Sequence, residues 1–145
     1  MSSPMYTGVP ESYFAILECA PNEWPVDAID CSISRAKSVI ALAVLLLDRE
    51  EGHAHDRTLT DAVWAAEGAV SALSQLAEHY QHSVIVELSR TVSSGLSAVM
   101  MLLSDDGRPA NFILSDCLKM TAARLTLIKE ISYQEFDKAK LSTGV

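Results

Sequence analysis

At 145 residues and 15.7 kDa the chain has room for one domain with a sizeable core and not for two. Apolar residues make up 49% and charged residues 21%, a globular and not a disordered balance. The net charge of −8 is carried by the first half, where residues 1 to 87 hold thirteen Asp and Glu against four Lys and Arg; such a surface repels phosphate backbones, argues against nucleic-acid binding and suits a basic protein partner or plain solubility.

Residues 1 to 11 mix Ser, Pro and Gly without periodicity and are expected to be a mobile tail, with one helical domain over 12 to 140. A short apolar run, Tyr13 to Leu17, is expected to cover one end of that domain. Pro25 suits the first position of a helix running to about Arg49. Its early turns have a polar stripe (Asp27, Asp30, Ser34, Lys37), whereas Val39 to Leu47 is apolar on every side, which requires burial at the centre of the molecule or under a second subunit. The segment from Glu50 to Asp56 reads as a turn, with Gly52 as the cap of the first helix.

The second helix, capped by Thr58 or Thr60, keeps a strict heptad: Leu59, Val63, Ala66, Val70, Leu73, Ala77, Tyr80 and Val84 alternate four and three apart. Glu67, Ser71, Ser74 and Glu78 form the polar stripe opposite that seam, and Glu67 reads as solvated. Beyond Glu78 the apolar spacing changes to successive fours, so either one helix covers residues 60–103 or a break near Gln81–Ser83 lets Ser83 cap a new one; the break is favoured because it equalises helix lengths. The third helix, to about Leu103, carries Ser89, Ser93, Ser94, Gly95 and Ser97, small groups that admit a close neighbour. The stretch from Ser104 to Pro109 is a turn. Pro109 is expected to open a fourth helix, with Ile113 or Leu114, Cys117 or Leu118, Leu125, Ile128 and Ile131 inward, that fades near Phe136. The expectation is an all-α antiparallel four-helix bundle of two hairpins, with a dimer of long helices as the alternative.

No membrane span is expected, since nine apolar residues from Val39 are about half of the roughly 20 that a helix needs to cross a bilayer. The amino terminus lacks the basic and apolar regions of a secretory signal, which leads to the expectation of a cytoplasmic protein. Cys19, Cys31 and Cys117 are odd in number and share no CxxC spacing, so they read as reduced thiols.

Chemistry is harder to find. His53 and His55 are separated from His79 and His82 by a helix whose length, roughly 36 Å at 1.5 Å per residue, keeps the two pairs apart in one subunit, and no metal site is expected. The carboxylate pairs Asp27/Asp30, Glu50/Glu51 and Asp105/Asp106 sit at helix entrances or in turns, where they serve solubility and the helix dipole. There is no Gly-rich phosphate loop, GxSxG elbow, HExxH helix or inward Glu-x-x-His pair. No catalytic residue and no cofactor are expected. Trp64, one place off the seam, is the candidate wall of a small apolar ligand pocket between helices, the alternative to core packing.

The run Tyr13-Phe14-Ala15-Ile16 leading into residues 25–48, then a polar turn and Asp61-Ala62-Val63-Trp64-Ala65-Ala66 on to His79, resembles small uncharacterised helical-hairpin proteins of pseudomonad-type bacteria. The resemblance covers residues 13 to 80, implies a bacterial origin and assigns no functional residue. The expected function is therefore non-enzymatic protein–protein interaction by a homodimer, as an adaptor, an inhibitor or immunity protein, or a chaperone. Val39, Leu42, Leu46, Leu59, Val63, Val70, Leu73 and Tyr80 are its expected interface, and a regulator binding an apolar ligand near Trp64 is the alternative.

Overall fold

A computed structural model describes the backbone of residues 25–142 and the side chains of residues 29–134. The readings made for the tail 1–11 and for the run at 13–17 lie outside the described residues. The rest is four helices: α1 (Pro25–Asp48), α2 (Asp56–His79), α3 (Ser83–Leu103) and α4 (Asn111–Ser142), with no strand among the described residues. Each helix touches two others, in the ring α1–α2–α3–α4–α1, and the apolar stripes meet inside that ring. Ile33, Ile40 and Leu47 of α1, Leu73 and Leu76 of α2, Ile85 and Leu96 of α3, and Leu118 and Leu125 of α4 are almost wholly withdrawn from solvent. Burying one such side chain stabilises the fold by about 1.5–3 kcal/mol.

The chain leaves helix after His79 and re-enters it at Ser83, so residues 60–103 form two helices and not one rod. Gln81 makes the reversal by taking φ of +60°, a left-handed conformation that only glycine adopts without cost. Its neighbour His82 returns a backbone N–H to the carbonyl of Ala77 at 3.0 Å, which satisfies one of the last carbonyls of α2.

Several junctions differ from their expected form. Glu50, with φ of +57°, takes the left-handed position two residues past α1, while Gly52 lies further along the loop. The second helix starts at Asp56, ahead of both threonines, and Thr60 donates back to the Asp56 carbonyl at 2.8 Å instead of capping. Ser83 is the first residue of α3 and His82 its cap. The fourth helix begins two residues after Pro109 and continues past Phe136 to Ser142, because Lys138, Ala139, Lys140 and Leu141 are good helix formers and no Gly or Pro intervenes.

Val39 to Leu47 is not enclosed by the described residues: its inner face is buried, but Leu42 and Leu45 are 62% and 63% exposed, since among those residues α1 has neighbours on two sides. Trp64 is 68% exposed on the outside of α2.

Polar bonds set the register of the packed helices. Ser32 Oγ donates to the Ala69 carbonyl at 3.0 Å between α1 and α2. Glu67, expected in solvent, accepts Ser93 Oγ at 2.6 Å and joins α2 to α3. Between α1 and α4, Lys37 Nζ donates to Thr126 Oγ1 at 2.7 Å and Ser115 Oγ to Asp48 Oδ1 at 2.9 Å. Lys129 Nζ, 3.1 Å from Asp30 Oδ1, supplies charge to that sealed oxygen without hydrogen-bond alignment. At the α3–α4 seam the close approach is Gly95, where an added Cβ would lie 3.8 Å from Thr121 Oγ1.

Ser83–Leu103 is long and apolar enough to match a membrane span by length and composition, although no single run within it prompted that reading from sequence. Ile85, Val92, Leu96 and Val99 of this helix lie in the bundle core, while 28% of its apolar window is buried within the bundle.

Candidate functional site

The densest set of charged groups lies at the end of the bundle where the α1–α2 and α3–α4 connections meet. Arg108 is drawn inside, its side chain 3% exposed. Its Nε donates to Asp56 Oδ2 and its Nη2 to Asp56 Oδ1, both at 2.8 Å, a two-pronged pair that fits a planar guanidinium to a carboxylate. Nη1 donates to the Pro109 carbonyl at 2.8 Å, and Nη2 reaches the Gly52 carbonyl at 3.4 Å. Four of the five guanidinium N–H groups are thereby used within the chain. Asp56 is also the first residue of α2, where its charge is favoured by the helix dipole.

A cleft of about 510 Å³ opens beside this pair, with Leu47, Pro109 and Phe112 as its apolar wall and Asp48, Glu50, His53 and Asn111 as its polar rim. Asn111 Nδ2 donates to the Leu47 carbonyl at 3.2 Å and closes the end of α1. In the same α1–α2 connection, His55 Nε2 lies 2.8 Å from Glu51 Oε2 and Arg49 Nε 2.6 Å from Glu51 Oε1. The His55 hydrogen bond holds the Glu51 carboxyl below its ordinary value of 4.5 against desolvation, and the Arg49 charge adds to the lowering. His53 Nδ1 stands 3.4 Å from Asp56 Oδ2.

This arrangement joins the α1–α2 and α3–α4 connections. The guanidinium is committed to Asp56, and among the described residues no group of three or more His, Cys, Asp and Glu converges as a metal set. The 24 residues of α2 separate His53 and His55 from His79 and His82, so the two pairs do not meet in one chain.

The residues expected at an interface fall into two groups. Leu59, Val63, Val70 and Leu73 are buried inside the chain, where their heptad meets helices of the same molecule. Leu42 is exposed, and Val39, Leu46 and Tyr80 are half-buried against the core. Tyr80 meets the edge of the His79 ring, with centroids 5.0 Å apart at 87°, and burial pushes its phenol above the usual 10.0. Trp64 is not among the residues around the cleft described above. Cys31 is half-buried and Cys117 exposed.

The sequence reading missed two features. The Arg108–Asp56 pair spans 52 positions, and only the unusual placement of an arginine between Gly107 and Pro109 hints at it. The other is the outward apolar face of α4, which the doublets Ile113-Leu114 and Cys117-Leu118 do signal, since neighbours about 100° apart around a helix widen its apolar surface beyond a single stripe. Comparison with protein-family models, curated proteins and solved structures found no match for the chain.

Proposed function

We propose that the chain is a small acidic bacterial protein, an antiparallel four-helix bundle, that acts in the cytoplasm by binding other protein and has no chemistry of its own. The roles that fit are adaptor, inhibitor or immunity protein, and chaperone. It works as a homodimer, and its acidic first half suits a basic partner. One observation carries the reading: the core is completed within the chain, yet Leu42, Leu45, Trp64, Met101, Phe112 and Met120 are each more than 60% exposed. We read these side chains as contact surface for another molecule, the role that contiguous exposed apolar patches serve. The cleft at the loop end supports it indirectly, because its one buried cation is already satisfied.

Capture from the native cell, followed by reconstitution with the purified candidate partner, tests this reading. A stoichiometric complex is expected, weakened at least tenfold by Leu42→Glu or Met120→Glu in proteins of unchanged helicity. A reconstituted complex indifferent to charge at every one of the six exposed positions would overturn it.

A further inference from the structure

The fourth helix carries two apolar stripes, and the core uses one of them. Leu114, Leu118, Leu125 and Ile128 are buried. The second stripe, Ile113, Cys117, Met120 and Leu127, with Arg124 at one of its places and Ile131, half-buried against the core, at its end, advances alternately by four and three, the spacing of a seam that meets another helix. Ile113, Met120 and Leu127 are 44%, 62% and 45% exposed. Beside this stripe lies α3, brought close at Gly95, with Val84 and Leu102 exposed near its two ends.

We infer that the α3–α4 face is the homodimer interface, occupied by a second copy of this chain whose α4 runs antiparallel to the first with the two-fold axis at Met120. This rests on the homodimer reading above and adds its location and register. In an isologous contact, residues equidistant from the axis face each other. Ile113 then meets Leu127, Met120 meets itself and Cys117 meets the small Ala123. Asp116 stands at the same level as Arg124 of the second copy. Both are exposed, and among the described residues neither takes part in an ion pair, so the charges of one copy complement those of the other. The stripe from Ile113 to Leu127 is roughly 21 Å long at 1.5 Å per residue, about four turns of contact.

The other exposed faces fit a second copy less well. On α1, a two-fold at Leu42 would set Arg35 against Arg49 and bring no opposite charge to either, since Arg49 already has Glu51 at 2.6 Å in its own chain. On α2, Trp64 stands between Asp61 and Gly68 with no apolar neighbour a turn away on the exposed face.

Sedimentation and cross-linking on the full chain test the inference. The wild type is expected to be dimeric at micromolar concentration, and Met120→Glu or Leu127→Glu to weaken the dimer at least tenfold with the circular dichroism spectrum retained. Asp116→Arg and Arg124→Asp should each weaken it, and the double exchange should restore it. With the three native cysteines replaced by serine, Met120→Cys should oxidise to a disulfide-linked dimer because the axis brings residue 120 to its own copy. A wild type that is monomeric at every concentration would remove the homodimer reading itself. A dimer that survives Met120→Glu, fails to cross-link through Met120→Cys, or is broken by Leu42→Glu instead would keep that reading and overturn this interface.

Discussion

Arg108 shows how one residue joins distant parts of the chain. Its side chain is 3% exposed and that of Asp56 20%, so water offers the pair little replacement when one partner is removed. Arg108→Leu, which leaves the Asp56 carboxylate without its counter-charge, should cost about 3 kcal/mol in urea unfolding. Arg108→Lys should recover only part of this, since an ammonium cannot match both carboxylate oxygens. A loss below about 0.5 kcal/mol for Arg108→Leu, the usual size for a surface change, would show that the two loops are held by other contacts. Glu51 is the counter-example, because its salt bridge with Arg49 and its bond to His55 lie in solvent and add little to the fold. Its carboxyl pKa is depressed in the folded state, so whatever it contributes is present above the ordinary 4.5 and is lost as pH falls through the lowered value. Carbon-detected titration should place the Glu51 midpoint below 4.5 and return it towards that value in His55→Ala; a wild-type midpoint at 4.5 or higher would contradict the geometry.

At the scale of the elements, the junctions store the strain and the helices do not. Gln81 and Glu50 occupy left-handed backbone conformations that cost a non-glycine residue roughly 1 kcal/mol, so Gln81→Gly should leave stability unchanged or raise it by up to about 1 kcal/mol. Inserting Gly-Gly between Gln81 and His82 lengthens an existing reversal and should cost under about 1 kcal/mol, whereas the same insertion after Leu73 would break α2 and cost several. A loss of several kcal/mol at Gln81 would mean that the reversal is a tightly specified element. Much of this scale was legible in the sequence: the four helices, the reversal near Gln81 and the turn before Pro109 all follow from apolar period and breaker residues. The exceptions share a cause. The cap of α2, the face of Glu67 and the Arg108–Asp56 pair depend on what lies across a seam, and periodicity reports the direction of a side chain without its neighbour. Glu67 was assigned to solvent because it stands off the heptad, yet on a 3.6-residue period it lies beside the seam, where α3 passes with Ser93. For the all-apolar part of α1 composition requires cover, at the centre or under a second subunit, and does not say which; among the described residues α1 has neighbours on two sides, and Leu42 and Leu45 face away from both.

At the scale of the molecule, the question is what holds four helices in a ring. The buried stripes account for cohesion, and the polar bonds at α1–α2, α2–α3 and α1–α4 specify register, since each has its partner at hydrogen-bond distance and would be costly to leave unmade in a slipped alignment. The histidines stand outside this scheme. His53 is 72% exposed on its side chain, and His55 is bonded to Glu51 in the α1–α2 connection. A fold built this way should be indifferent to metal, because folding that draws on metal binding is lost when the ion is stripped. Exhaustive dialysis against a chelator is therefore expected to leave the melting temperature and the sedimentation coefficient unchanged, and zinc or nickel added back should not raise either. The histidine pairs at opposite ends of α2, roughly 36 Å apart at 1.5 Å per residue, could share an ion only between two chains lying antiparallel along that helix. A large drop in melting temperature on chelation, restored by zinc and abolished by His53→Ala with His55→Ala, would therefore establish a dimer through α2, and with it a different face from the one assigned to α4.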